Sequence, residues 1–213
     1  MATLLHIDSS IRTDVEGSVS RGITAAFAER WQKVNPDSRV IYRDLGRNPV
    51  PHQTWAAYSA SLSPAEAQTD EQKAAAAVSQ ELAGELLAAD VVVLGVPMYN
   101  YSVPDNFKTW IDRIATPALF ANPETGEGVL SGTRFVVVHS RGGSYAPGTP
   151  REDFDFQETY LKKLLSTFGV TNTEFVRAEL TMAKAVPAMA DLIPLGEKSL
   201  TDAHSSVLEL ASV

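Results

Sequence analysis

The chain has no cysteine, which excludes a disulfide framework, a thiol redox centre and any zinc site built on thiolates. Redox chemistry, if there is any, must then come from a bound cofactor. Basic residues are in deficit: 18 Lys and Arg against 26 Asp and Glu leave a net charge of −8, which opposes binding to nucleic acid or to an anionic membrane. Small molecules are the expected partners. No apolar run reaches membrane-spanning length, and Met1–Asp8 passes into a short strand without the longer apolar region of a signal peptide, so a cytoplasmic location is expected. The four histidines, His6, His52, His139 and His204, lie far apart with no HExxH spacing, so no metal site is expected. Also missing are GxxxxGK[ST] and GxGxxG, the usual triphosphate loop and dinucleotide fingerprint.

What is present is the composition of a globular chain, 44% hydrophobic and 21% charged over 213 residues with no linker-like segment, which points to one domain over 1–213. Its centre is the stretch Asp90–Arg113. Val91-Val92-Val93-Leu94-Gly95 is an apolar, β-branched run that reads as a strand buried on both faces, the kind found in parallel sheets. An aromatic-rich loop follows, Val96-Pro97-Met98-Tyr99-Asn100-Tyr101, and Pro104 at the first helical position opens a helix. This loop offers backbone amides, two aromatic rings and one carboxamide, but no obvious nucleophile or metal ligand. A flat, conjugated ligand suits it. Taken alone, Tyr99 and Tyr101 could equally pack under the next helix.

Thr3–Asp8 reads as the first strand, and a helix to about Asn35 carries Ile23, Phe27 and Trp31 at four-residue spacing. Between them lie Ser9, Ser10, Ser18 and Ser20, hydroxyls placed where a helix N-terminus already favours an anion. With the longer nucleotide motifs excluded, a terminal monophosphate remains; simple capping by Ser18 or Ser20 is the alternative. Ser38–Asp44 reads as the second strand. Leu45–Ser63 reads as a long connection holding Trp55 and Tyr58, which cover either their own core or another surface. Ser63-Pro64-Ala65-Glu66 predicts a helix start, with a break near Asp70 and continuation to Ala89.

The segment Leu119–Gly132, with Phe120 in it, reads as a short hairpin or excursion. Arg134–Ser140 is another buried strand, ending in Ser140-Arg141-Gly142-Gly143-Ser144-Tyr145, whose paired glycines allow a tight turn or close approach to a ligand. Asp153–Phe168 is the next predicted helix, stopped by Gly169; Thr171–Ala178 is the fifth strand, and a final helix covers much of Gly196–Leu210. Strands alternating with helices predict an α/β doubly wound five-stranded parallel sheet in the flavodoxin-like order 2-1-3-4-5, with helices on both faces. That order brings the loops after the first, third and fourth strands to one crevice. These are the three unusual loops.

Ile7-Asp8-Ser9-Ser10 with Ser18-Val19-Ser20, then Pro97-Met98-Tyr99-Asn100-Tyr101, then Ser140-Arg141-Gly142-Gly143, in this order over the full chain, resemble the FMN-dependent NAD(P)H azoreductases, flavodoxin-like quinone reductases. The resemblance implies that Ser10, Ser18, Val19 and Ser20 hold the FMN phosphate, that Pro97, Met98, Tyr99, Asn100 and Tyr101 line the isoalloxazine, and that Ser140, Arg141, Gly142 and Gly143 hold its pyrimidine edge. It further implies a homodimer with active sites at the interface. The expected activity is two-electron, ping-pong hydride transfer from NADH or NADPH through FMN to quinones and azo compounds, the cofactor carrying the chemistry. No side chain is assigned as catalytic acid or base. Tyr101, Phe120 and Tyr145 are pocket candidates, with Trp55 or Tyr58 from the other subunit. A flavodoxin-type electron carrier without its own small-molecule substrate is the alternative; a hydrolase would require a metal cluster or activated nucleophile that the sequence does not display.

Overall fold

Five strands, β1 (Thr3–Asp8), β2 (Arg39–Asp44), β3 (Val91–Pro97), β4 (Arg134–Ser140) and β5 (Asn172–Ala178), pair in parallel in the order β2-β1-β3-β4-β5. These come from a computed structural model that describes residues 1–15, 17–116, 122 and 124–213. The helices between them are α1 (Val19–Val34), α2 (Trp55–Ser61), α3 (Asp70–Leu87), α4 (Asp105–Ile114), α5 (Phe156–Thr167) and α6 (Ile193–Leu210). The order and direction are those expected from the alternation of strands and helices.

Successive residues of the central strands point to opposite faces, so each strand feeds two cores. Leu5, Val92, Leu94 and Val137 pack with Leu82, Phe107, Trp110, Leu161 and Phe168 from α3, α4 and the α5 region. Their neighbours Leu4, Val93, Val136 and Val138 pack with Ile23, Phe27 and Trp31 of α1 and with Ala203 and Val207 of α6. The spacing of Ile23, Phe27 and Trp31 thus marks the buried face of α1. None of the helices among the described residues is long and apolar enough to cross a membrane.

Several boundaries differ from the sequence reading. Ser63 and Pro64 do not open the long helix: Pro64 is extended at ψ 143°, a three-residue turn covers Ala65–Ala67, and α3 begins at Asp70. The reason is a capping box, in which Thr69 Oγ1 accepts from the Gln72 amide while Gln72 Oε1 accepts from the Thr69 amide at 2.8 Å. The break expected near Asp70 is therefore the true start. Pro104 precedes α4 rather than occupying its first position. Asp155 delays α5 to Phe156 by accepting the amides of Gln157 and Glu158, and the expected connection over Leu45–Ser63 contains α2, capped by Thr54. Part of the expected excursion at Leu119–Gly132, Phe120 included, lies outside the described residues; in its described part the Asn122 amide donates to Glu127 O at 2.7 Å.

Candidate functional site

The β1–α1 loop leaves the sheet through Ser9, whose amide and hydroxyl both donate to Gly95 O of β3, at 3.0 and 2.8 Å. Ser9 is thereby spent on anchoring the loop. Ser10 is buried and accepts the Arg12 amide at 3.2 Å. Ser18 stands at the N-cap position of α1 in extended conformation, yet its side chain makes no capping bond. Ser20, 1% exposed, has no partner for its hydroxyl. A buried hydroxyl left unmatched costs about 1–3 kcal/mol unless something else meets it. The first-turn amides of α1 point the same way, because helix geometry gives them no internal acceptor. Capping bonds therefore do not account for Ser18 or Ser20.

After β3 the chain makes a tight reversal. Tyr99 and Ser102 exchange both backbone hydrogen bonds, at 3.0 Å each, and the two residues between them, Asn100 and Tyr101, sit at φ 49° and 69°. Such left-handed conformations are uncommon outside glycine, particularly for an aromatic residue. The turn is held from both sides: Tyr99 Oη accepts the Ile11 amide of the first loop at 3.3 Å, and Met98 N donates to Ser140 O at 2.9 Å. Two loops far apart in sequence are thus tied to one turn. Beyond β4, Gly142 O and Gly143 O accept from Met182 and Leu180, which ties in the segment after β5. A cavity of about 720 Å³ opens there, walled by Met98, Asn100, Tyr101, Gly142, Tyr145 and Met182. Tyr101 meets Tyr145 edge-on at 6.4 Å and Phe154 at 5.3 Å. Arg151 is the single charged side chain on its wall among the described residues. The serine loop is not part of this cavity's wall; the Tyr99–Ile11 bond connects the two.

Arg141 does not line this cavity. Its guanidinium is buried and engaged by Gln157 at 3.2 Å, Glu179 at 3.2 Å and Asp155 at 2.9 Å. Its backbone is also taken, by Ala178 and Thr181. Arg141 therefore builds the loop, and the neighbouring Gly142 and Gly143 form the part that faces the cavity.

Beneath the serine loop lies a buried charge cluster that sequence reasoning missed. Asp8 and Asp44 occupy the same register on adjacent strands, so two carboxylates face each other and require a cation. Arg21 supplies it, forking onto Asp44 at 2.6 and 2.8 Å and approaching Asp8 at 3.6 Å. Burial opposes the charge on Asp8, but hydrogen bonds and charge from His6, Thr24 and Arg21 outweigh it and hold its pKa below the ordinary carboxylate value. Asp44 is likewise depressed: burial raises it, and Arg21 with the Arg47 and Gly46 amides overcomes that. The signal was present as two strands ending in aspartate, but it becomes readable only once β1 and β2 are known to be neighbours in register. The cavity residues Leu180, Met182 and Met189 carried no motif at all.

The family model described as having a flavodoxin-like fold matches residues 2–192. A protein of Streptomyces coelicolor named FMN-dependent NADH:quinone oxidoreductase is 49% identical over 213 residues, covering 99% of this chain and 94% of its own. One of the same name from Frankia casuarinae is 43% identical, covering all of both. Among solved structures, an azoreductase from Bacillus anthracis superposes with a TM-score of 0.85 at 23% identity, over 100% of this chain and 99% of that one. An FMN-dependent NADH-azoreductase of B. anthracis, solved in complex with FMN, gives 0.83 at 23% identity over 99% and 98%. At that identity the structures demonstrate a common fold.

Proposed function

The chain belongs to the flavodoxin-like family of FMN-dependent NADH:quinone oxidoreductases, and from that premise we propose that it carries electrons in pairs from NADH or NADPH to quinones and azo compounds. The observation that carries this reading is the Ser20 hydroxyl, buried and unpartnered at the start of α1, which follows a loop bonded through the Ile11 amide to Tyr99 of the turn beside the cavity. The residues fit FMN. Ser10, Ser18, Val19 and Ser20 would hold its phosphate; Pro97 through Tyr101 would line the ring system; Ser140, Gly142 and Gly143 would meet the pyrimidine edge, with Arg141 shaping the loop from behind. Bound FMN supplies a two-electron relay that no side chain of a cysteine-free protein offers.

The chain's own residues have narrower tasks. Ser18, Ser20 and the first-turn amides bind an anion by donating hydrogen bonds to it. The turn at Asn100 and Tyr101 presents a carboxamide and an aromatic face in a fixed conformation, stiffened by its paired hydrogen bonds. Thioethers and aliphatic groups from Met98, Met182 and Leu180 line a mostly apolar cavity in which nicotinamide and acceptor take turns. Trp55 and Tyr58, 77% and 50% exposed with ring centroids 6.0 Å apart, offer the apolar contact that a second copy of the chain would cover, giving a homodimer.

Two measurements test this. Ser18→Ala with Ser20→Ala should release FMN while leaving thermal unfolding of the apoprotein nearly unchanged; equal losses of cofactor and stability would restore a purely structural role. Initial-rate plots against NADH and a simple quinone should be parallel. Failure to oxidise NADH with any quinone, in the absence of a protein partner, would favour an electron carrier instead.

A further inference from the structure

An anion-binding loop must turn its amides and hydroxyls toward the ligand and its carbonyl oxygens away. In the β1–α1 loop four carbonyls, those of Ser10, Arg12, Thr13 and Gly17, are taken by arginines. Arg21 Nε donates to Arg12 O at 2.6 Å and its Nη2 to Ser10 O at 2.9 Å. Arg12 Nη1 donates to Gly17 O at 2.8 Å, and Arg47 donates to Thr13 O. A carbonyl bound to a guanidinium is no longer free to rotate toward a phosphate oxygen.

Arg21 is the centre of this arrangement. It is 2% exposed, and its remaining contacts go to Asp44 and to Tyr42 Oη at 3.1 Å. Tyr42 in turn donates to Asp8 at 3.0 Å. Packing there is tight: a Cβ on Gly46 would lie 2.2 Å from Ser10 O and 2.8 Å from Arg21 Nη2. With every donor spent, Arg21 does not itself reach a ligand. It has two effects from beneath. It fixes the direction of two loop carbonyls, and it compensates the Asp8 and Asp44 charges that would otherwise repel a phosphate dianion above them.

We propose that Arg21 is the positioning residue by which this loop selects a flavin ending in a phosphate monoester over one ending in a hydroxyl, with Arg47 in a supporting part. The inference rests on the FMN reading above and concerns how this chain's loop is shaped for it. A residue needed merely for folding would weaken both flavins together, whereas one that orients the loop's donors acts on the phosphate alone.

The test is titration of the apoprotein with FMN and with riboflavin, followed by quenching of flavin fluorescence. Arg21→Lys keeps the charge but loses the fork; it should lower FMN affinity about tenfold or more and leave riboflavin affinity unchanged. Arg47→Ala, at a side chain that is 61% exposed, should lower FMN affinity by about threefold, again without affecting riboflavin. Parallel losses for the two flavins, or no loss for FMN, overturn the proposal. If Arg21→Lys does not fold, Arg47→Ala decides: an unchanged FMN-to-riboflavin ratio overturns it. Wild-type protein that binds neither flavin would instead remove the cofactor reading, and this inference with it.

Discussion

Gln157 of α5 reaches the end of the sheet and donates from Nε2 to the backbone oxygen of Val96, 2.9 Å away. Its Oε1 accepts from Arg141 Nε at 3.2 Å. One fully buried carboxamide therefore clasps the strand leading into the Pro97–Tyr101 turn to the loop holding Gly142 and Gly143. Gln157→Leu would keep the volume and strand both partners without water. It should destabilise the protein by about 2–3 kcal/mol, read as a lower urea midpoint with unchanged slope. The variant should also release flavin faster, because the two loops lose their common tie.

His139 is fully buried in β4, stacked on Phe175 with ring centroids 5.6 Å apart. Burial above all, reinforced by the Arg141 charge, pushes its pKa down to about 3. The unfolded chain protonates this imidazole near 6.5, so between those values the unfolded state binds more protons and stability rises with pH. The contribution is complete above about pH 6.5 and drains away as the pH falls toward about 3. Wild-type protein should lose about 1.5 kcal/mol between pH 6.5 and 5. His139→Leu should flatten that slope, as followed by denaturation at a series of pH values; an unchanged slope would assign the acid sensitivity to other groups.

A second acid window belongs to Glu158. Burial raises its pKa, but hydrogen bonds from Arg177 and Lys162 prevail and hold it at about 2. Its stabilisation is therefore present above the ordinary glutamate value and is lost as the pH falls through about 2. Glu158→Gln should reduce stability at pH 7 and leave a much smaller difference from wild type at the lowest pH where both still fold, as measured by thermal unfolding.

Tyr101 combines a left-handed backbone, φ 69°, with a ring that is 41% exposed on the cavity wall. Backbone strain coincides there with exposure to the cavity. Tyr101→Gly should change stability by no more than about 1 kcal/mol, since relief of the backbone offsets the lost ring contacts. The Michaelis constant for quinones should rise severalfold. A large loss of stability with an unaltered Michaelis constant would identify the ring as a packing element.

Trp55 and Tyr58 are both exposed and lie side by side, with ring centroids 6.0 Å apart. Replacing both with serine should convert the proposed dimer to monomers in sedimentation velocity runs, with little change in protomer folding, because neither ring is buried in the protomer's core. A wild-type protein that already sediments as a monomer would exclude this interface.

Local pattern was enough to read the strands and the three loops that follow β1, β3 and β4. The valine runs at Val91–Val93 and Val136–Val138 specify strands with two buried faces, and Ile23, Phe27 and Trp31 mark one helical stripe, because hydrophobic periodicity depends on near neighbours alone. Alternation with helices then leaves parallel crossovers as the natural connection, which places the serine, Asn100 and glycine loops on one edge. Helix starts were less legible where two signals competed: Ser63-Pro64 is as good a start in sequence as Thr69-Asp70, and only the reciprocal Thr69–Gln72 pairing settles the choice.

The sequence by itself determined the alternation, the sheet and the position of the loops. The tertiary structure decided what each charged side chain does. Arg21 follows the serine loop and Arg141 stands in the glycine loop, yet both are buried and engaged with acids from other elements, Asp44 for one and Asp155 and Glu179 for the other. Partners of that kind are chosen by which strands lie adjacent and in what register, a long-range property that no local spacing encodes. The Met182 wall of the cavity arises in the same way, from a segment without a motif that the hydrogen bonds to Gly142 and Gly143 draw into place.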